Sequence, residues 1–326
     1  PGENAECVCA GLRTVFEHIG AVPLTLVLDN ATGAGHRVAW DRVSIVKVFE
    51  LFVEHYRLET RFCNPNSGNE KGSVENAVGF LRRNIMVPLL NAESYAQLTR
   101  YMLERCDAMA KETHYRKGAP IGGLFAEEKA EMQPLPSKPY DAIRWEVRKA
   151  DKDGRVQVDG NHYLAGPSWR GWTLDVALRA FDVTIRTQDG RTCARLPRVY
   201  GDSPATIRDP ATLLPALGRK TNAWPDSTIR DDFPDKLRLA IDRMDAKARR
   251  NAFRLISRTS DACGFEPAVE AGEHLVEQGH PLDEASLTTM ARRIASGEKP
   301  YEQTAPDLTG YDVFMQPRGT RERKEA

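Results

Sequence analysis

The sequence has 326 residues, of which 41% are hydrophobic and 28% charged, a composition typical of a globular protein with two or three domains. Its longest apolar run, residues 21–28, is too short to cross a bilayer and no secretory signal opens the chain, so we expect a cytoplasmic protein. The 46 Lys and Arg balance 46 Asp and Glu, so the formal net charge is zero. The six cysteines include no C-x-x-C pair, which argues against a zinc site and predicts reduced thiols.

Helical and strand-like hydrophobic spacings alternate through the first 132 residues and indicate an α/β layer structure. The predicted elements are, in order, a helix at residues 10–18, a strand at 24–28, a helix at 43–56, a strand at 58–63, and helices after a loop at 64–68 and at 94–112. Gly20 is predicted to end the first helix, and Ser67 with Glu70 forms a capping box before the third. The buried face of that third helix is predicted to consist of Val74, Val78, Leu81 and Ile85.

A proline-rich linker at residues 133–139 separates this block from segments with other periods. Residues 140–203 alternate apolar and polar side chains between Asp-Gly turns, which predicts a small all-β barrel of about five strands. Residues 204–296 return to helical spacing and include one long predicted helix at 236–258. The polar segment 297–326 is predicted to be a flexible tail.

Two acidic residues occupy positions that suit metal binding. Asp29 directly follows the strand at 24–28, and Glu75 lies one position after Val74, at the rim of the buried face predicted for its helix. Mg²⁺ takes carboxylate oxygens and is completed by water and substrate phosphate, and two such ions can assist a displacement at phosphorus. An Asp after a strand is also commonly a turn or cap residue, and a helical Glu commonly faces solvent, so position alone leaves both interpretations open.

Three segments surround these acids: VPLTLVLDN at residues 22–30, LETRFCNP at 58–65 and KGSVENAVGFLRRN at 71–84. Together they closely resemble the catalytic core of IstA-type insertion-sequence transposases, and the last segment is the most specific. The resemblance extends through the barrel to about residue 300. It implies an RNase H-like core of the retroviral-integrase superfamily with a D, D, E metal triad, in which Asp29 and Glu75 are the second and third members.

The first Asp of that family lies on an earlier strand, and no Asp precedes Asp29 here. We therefore expect an N-terminally truncated chain, with a partial catalytic core at residues 1–132 that lacks its first strands. On this expectation the chain alone is inactive. Two alternatives remain open: a catalytically inactive DNA-binding remnant, and an RNase H-like nuclease that cuts without joining.

The resemblance implies metal-dependent cleavage of transposon 3′ ends followed by strand transfer into target DNA. Asp29 and Glu75 would be ligands in a two-metal site for Mg²⁺ or Mn²⁺. The implied partners are double-stranded DNA, other copies of the chain in a homo-oligomer, and an AAA+ ATPase helper of the IstB type. These partners place the protein at the nucleoid.

Basic residues near the acids are candidates for binding DNA phosphate. Lys71 and Arg82 share a helical face with Glu75, and Arg83 and Arg61 are further candidates. For Lys71, a charge pair on a solvated helix is an equal alternative.

The barrel adds a second group of basic residues interleaved with aromatic ones. Residues 137–206 contain twelve Lys and Arg against nine Asp and Glu, so this segment is mildly basic. The group consists of Arg144, Arg148, Lys149, Arg155, Arg179, Arg186, Arg191, Arg195 and Arg198, with Trp145, Tyr163, Trp169, Trp172 and Tyr200. Related transposases use such a barrel against the DNA backbone, which is the functional interpretation; a plain solvated surface is the alternative. For the Arg-rich helix at 236–258, DNA binding, subunit assembly and a solvated face all remain open.

Overall fold

The computed structural model describes residues 2–28, 33–39, 42–62, 68–88, 90–201 and 203–297, with only the backbone described for 36–39, 42–44 and 68–75. The chain divides into two compact units, Pro1–Thr212 and Leu213–Ala326. The first unit contains an α/β segment followed by two sheets in which all strand pairs but one are antiparallel, and the second unit is helical. Beyond residue 297, the predicted tail lies outside the described residues.

The α/β segment opens with a helix whose two ends follow directly from the sequence. Its elements are α1 (Ala5–Ile19), β1 (Thr25–Leu28), β2 (Gly35–Ala39), β3 (Arg42–Ile45), α2 (Lys47–Tyr56), β4 (Glu59–Phe62), α3 (Gly68–Ile85), α4 (Tyr95–Met109) and α5 (Ile121–Lys129). Asn4 caps α1 by accepting a hydrogen bond from the Cys7 amide at 2.9 Å. Gly20 ends α1 in the left-handed conformation at φ 70°, which glycine adopts without the steric cost of a Cβ. The predicted end of the first helix is therefore confirmed.

The core of this segment lies between α1, α2 and one face of a small parallel sheet formed by β1 and β4. Aromatic rings fill it: Phe16 of α1 lies 5.4 Å from the ring of Tyr56 on α2, and Phe52 is fully buried between them. Burial of one such ring stabilises the fold by roughly 1.5–3 kcal/mol. The other face of the sheet carries Val27 and Arg61 side by side, and both are exposed.

The helix predicted at 43–56 begins four residues later than expected, at Lys47. Residues 42–45 instead form β3, which pairs antiparallel with β2. Val43 and Ile45 fit the helical spacing, but β-branched residues suit a strand equally well, and here the hairpin partner decides. The hydrophobic pattern missed this hairpin, and it also missed α5.

Helix α3 has the predicted position but not the predicted buried face. Val78 and Leu81 are 44% and 40% exposed, whereas Ile85 is 2% exposed. The side chain of Val74 lies outside the described residues. Helical spacing shows which side chains share a face, but it does not show whether another element covers that face. The predicted burial is therefore wrong for Val78 and Leu81 and confirmed for Ile85.

The rest of the first unit contains two sheets that share one apolar core. Their strands are β5 (Arg144–Lys149), β6 (Arg155–Val158), β7 (Asn161–Leu164), β8 (Thr173–Leu178), β9 (Asp182–Thr187), β10 (Thr192–Pro197) and β11 (Thr206–Ile207). One sheet has the order β10-β9-β8-β5 and is antiparallel throughout, and the other has the order β11-β7-β6. Alternate side chains such as Leu174, Val176 and Ile185 point inward and are fully buried. We call residues 144–207 the β-barrel region.

The second unit consists of helices packed around a buried tryptophan. They are α6 (Leu214–Arg219), α7 (Asp235–Arg243), α8 (Ala246–Cys263), α9 (Phe265–Glu277) and α10 (Glu284–Ala295). The ring of Trp224 lies 5.1 Å from the rings of Phe233 and Phe253. The all-β character predicted for the middle of the chain and the helical character predicted for its C-terminal region are confirmed, whereas an RNase H-like arrangement of the first segment stays a prediction.

The single helix predicted at 236–258 is wrong, because two helices occupy this stretch. Met244 is extended at ψ 144° and ends α7. Asp245 then caps α8, its carboxylate accepting hydrogen bonds from the amides of Lys247 and Ala248 at 2.9 and 2.7 Å. Aspartate prefers this capping position to a helix interior, so it starts a new helix where the apolar spacing alone suggested continuity.

Candidate functional site

The predicted metal ligands are Asp29, the residue after β1, and Glu75, a residue of α3. Leu28 and Phe62 are paired at the C-terminal ends of β1 and β4, so both strands end at the same edge. Asp29 directly follows β1 but lies outside the described residues, and Glu75 is described only as backbone of α3. Within the described part of the chain, no three His, Cys, Asp or Glu side chains form a group that could hold a metal ion. Both residues remain predictions as ligands.

The basic residues predicted beside these acids are placed on two elements. Arg82 and Arg83 lie in the last turn of α3 with exposed side chains, and Arg61 projects from the exposed face of β4. For Lys71, only the backbone in α3 is described. DNA binding by these four residues stays a prediction.

A cluster of charges around the buried Glu6 and Arg198 connects α1 to the β-barrel region. Glu6 is 1% exposed, and its carboxylate lies 2.9 Å from Nε of Arg144 and 3.6 Å from Nη1 of Arg198. Arg198 is itself buried, donates to Asp159 at 2.9 Å and donates to the carbonyl oxygen of Arg179 at 2.7 Å. Burial acts to raise the pKa of Asp159, but hydrogen bonds and charge from the two arginines hold that pKa below its ordinary value.

This cluster changes the interpretation of two basic residues. Arg144 is engaged by three carboxylates, those of Glu6, Glu146 and Asp159, at 2.7–2.9 Å. Arg198 is buried, so the suggestion that it meets the DNA backbone is wrong. Sequence reasoning missed Glu6, although a signal was present: it is a charged residue on the side of α1 that is otherwise apolar.

An exposed aromatic–cation pair lies on the outer face of the four-stranded sheet. The guanidinium carbon of Arg186 lies 3.9 Å from the ring centroid of Trp145, which is 46% exposed. Trp145 is on β5 and Arg186 is on β9, so the arginine reaches across β8 to stack on the indole. Val147, two residues after Trp145 on the same face, is also exposed. Among the residues that the structure describes, no carboxylate forms an ion pair with Arg186.

Other basic residues of the β-barrel region are divided between paired and stacked states. Arg148 contacts Glu146 at 2.5 Å, Arg179 contacts Asp141 at 2.8 Å, and Arg155 is paired with Asp153. A second cation–aromatic pair places Arg191 5.3 Å from the ring centroid of Trp169. Tyr163, which was predicted among the aromatic residues of this surface, is instead buried in the core.

The β-barrel region has a recognisable counterpart in known proteins. Residues 135–209 match the family model described as "Mu transposase, C-terminal domain". The chain is 28% identical over 192 residues to a transposase for insertion sequences IS1326/IS1353 of Pseudomonas aeruginosa, covering 58% of this chain and 38% of that protein. It is 27% identical over 184 residues to the transposase of insertion sequence IS21 of the same organism, covering 56% and 47%.

The chain is thus similar to IS21-type insertion-sequence transposases over more than half of its length. This confirms the resemblance predicted from the three segments around Asp29 and Glu75. A transposase of Aminobacter aminovorans extends the similarity to 68% of this chain, at 28% identity over 230 residues. The chain spans less than half the length of these relatives. Within the described residues, no helix is both long and apolar enough to span a membrane.

Proposed function

We propose that this chain is part of a DNA transposase that cuts the 3′ ends of an insertion sequence and joins them to target DNA. The observation that carries the proposal is its similarity to insertion-sequence transposases over more than half its length, together with the match of residues 135–209 to a Mu transposase domain. Because the chain spans less than half the length of those relatives, the proposal assigns it a part of the activity.

The proposed metal site lies at the edge of the sheet where β1 and β4 end. Asp29 follows β1 directly, and Glu75 is carried by α3, the helix after β4, so the topology supports their approach to one another. Their carboxylate oxygens suit Mg²⁺ or Mn²⁺. When bound, such ions would activate the attacking oxygen and offset charge on the leaving oxygen.

The chain's own cations would hold the DNA at this edge. Arg61, Arg82 and Arg83 are exposed on β4 and α3, and Lys71 precedes Glu75 by one helical turn. Their proposed role is to neutralise phosphate and position the scissile strand, which needs no reading of base sequence.

The outer face of the four-stranded sheet is the proposed DNA-backbone surface of the β-barrel region. Arg186 has no ion-pair partner among the described residues and is held in place by Trp145, so little side-chain entropy is lost when it meets a phosphate. Arg148 lies on β5 but alternates with Trp145 and so belongs to the other face of the sheet, where it contacts Glu146; it is a separate proposed DNA contact.

A strand-transfer assay tests the metal ligands. In the full-length transposase that contains this chain, Asp29→Ala and Glu75→Ala are each expected to reduce Mg²⁺-dependent joining of labelled transposon ends by at least about 100-fold, because each removes a metal ligand. Glu128→Ala is the matched control, because Glu128 is an exposed acid on α5. Joining at the control's rate by either variant would refute the site.

The products distinguish the alternatives. Ends that are cut but not joined by the unaltered protein indicate a nuclease, and DNA binding without cutting indicates an inactive remnant. We further propose that the 326-residue chain alone does not join ends, since no Asp precedes Asp29 to act as the family's first ligand. The proposed partners are double-stranded DNA, further copies of the chain, and an AAA+ ATPase helper of the IstB type, each testable by co-purification.

A further inference from the structure

Helix α8 in the second unit has a strongly one-sided charge distribution. Lys247, Arg250, Arg254 and Arg258 are exposed, and their spacing places them within about 80° of the helix circumference. The opposite side of α8 buries Ala252 and Ile256. From Lys247 to Arg258 this row of four residues, which we call the α8 cationic row, extends about 16 Å at 1.5 Å per residue.

Most charges of the α8 cationic row have no ion-pair partner in the part of the chain that the structure describes. Among the described residues, no carboxylate forms an ion pair with Lys247, Arg250 or Arg254, while Arg258 lies 3.5 Å from Glu284. The remaining arginine of this stretch, Arg249, turns inward and donates to three carbonyl oxygens at the end of α7 at 3.1–3.2 Å. The fold therefore uses Arg249 for structure and leaves the row to solvent or an outside anion.

Helix α9 carries an acidic row with matching spacing: Glu266, Glu270, Glu273 and Glu277. This row is partly neutralised inside the unit. Glu277 contacts Lys236 at 2.5 Å, the Lys236 amide donates to Glu273, and Glu270 lies 3.9 Å from His274. Among the described residues, Glu277 is the one acid of this row that pairs with a lysine or arginine, so the α9 row of a second copy is the competing occupant of the α8 cationic row.

We propose that the α8 cationic row binds the phosphate backbone of double-stranded DNA, as a surface separate from the β-barrel region. The choice of DNA as the polyanion rests on the proposed transposase function. Phosphates recur every 3.4 Å of axis along one DNA strand, so a row about 16 Å long can meet several of them. Contacts of this kind neutralise phosphate without reading sequence, so the row adds affinity and salt dependence but no base preference.

The salt dependence of binding tests the row. The row variant carries Lys247→Gln, Arg250→Gln and Arg254→Gln, and the control variant removes three exposed cations elsewhere in the second unit. The control substitutions are Lys220→Gln, Arg243→Gln and Arg292→Gln. Binding of each chain to a fluorescent duplex is measured by anisotropy between 50 and 200 mM salt. The row variant is expected to bind at least about 10-fold more weakly, and the slope of log K against log salt should decrease by about 0.9 for each lost phosphate contact.

A change in slope confined to the row variant, with an unchanged circular dichroism spectrum, supports the proposal. Equal slopes for the row and control variants overturn it. The row also fails if its variant loses self-association in sedimentation velocity while keeping its DNA affinity, because the partner is then a second copy. The variant Arg186→Gln in the β-barrel region distinguishes this proposal from the proposed function. If Arg186→Gln loses DNA affinity and the row variant does not, DNA binding by the α8 cationic row is refuted and the proposed function is retained. Absence of binding by the unaltered chain contradicts both.

Discussion

Substitution of Glu6 by Gln should loosen the contact between α1 and the β-barrel region. The Glu6 carboxylate is buried between Arg144 and Arg198, and a glutamine side chain keeps its shape but removes its charge. Loss of one partner from a buried ion pair costs about 3–5 kcal/mol when the other charge is left alone. Here neither arginine is left alone, because both still contact Asp159, at 2.7 and 2.9 Å.

The expected cost of Glu6→Gln is therefore below the range for a charge left alone, at about 2 kcal/mol. For a folding unit of this size, that loss lowers the melting temperature by about 4–8 °C. Hydrogen exchange measured by mass spectrometry should localise the effect: α1 and β5 should exchange faster, and α8 in the other unit should not. The matched control is Glu17→Gln, because Glu17 is an exposed partner of Arg13 at 3.5 Å on the same helix, a pair worth 1 kcal/mol or less. Equal melting shifts for the two variants would refute the role assigned to Glu6.

Two further stability predictions follow from local geometry. Gly154→Ala should cost about 3 kcal/mol or more in urea denaturation, because φ is +81° and the new Cβ would lie 2.0 Å from a backbone oxygen. Gly160→Ala, at φ +79° with nothing within 4 Å, should cost only about 1–2 kcal/mol, and equal losses would contradict the close approach. In the second unit, a hydrogen bond from Arg230 lowers the pKa of Asp242 against the opposing effect of burial, with help from Trp224. Because this folded-state pKa is depressed, the charged carboxylate stabilises the unit above pH 3.8, and the stabilisation is lost as pH falls through the lower folded value. Asp242→Asn removes the stabilisation at neutral pH. The difference in free energy of unfolding between the variant and the unaltered chain should therefore become smaller in acid.

Local signals in the sequence predicted element ends where a single residue determines the backbone. Gly20 ends α1 because of its left-handed φ, and this could be read directly. The same type of signal at Asp245 was outweighed by continuous apolar spacing, and one helix was predicted where the cap separates two. A capping residue can be recognised from the local sequence. The apolar spacing can nevertheless continue across the end of one helix into the next, as it does at Asp245, and then it predicts a single helix.

Packing partners could not be predicted, because they depend on contacts distant in sequence. Val78 and Leu81 share a helical face with Ile85, yet only Ile85 is covered. The stacking of Arg186 on Trp145 depends on the register of three strands, which alternation alone does not specify. The prediction of Asp29 and Glu75 as metal ligands depends on the family resemblance, since a strand-end Asp and a helical Glu have no distinctive spacing of their own.

The presence or absence of an internal partner distinguishes the basic residues better than their position in the sequence. Arg144 and Arg186 lie in the same region, but Arg144 is held by three carboxylates and Arg186 by an aromatic ring. Arg144→Gln should therefore lower the melting temperature with little change in DNA affinity beyond that of partial unfolding, because its charge is already neutralised. Arg186→Gln should weaken binding to a fluorescent duplex several-fold while the melting temperature changes little, since an exposed cation–aromatic contact contributes only about 0.5–1 kcal/mol. The opposite result would be a loss of DNA affinity in Arg144→Gln and a lower melting temperature in Arg186→Gln. That result would refute the idea that internal pairing determines which basic residues are available to DNA.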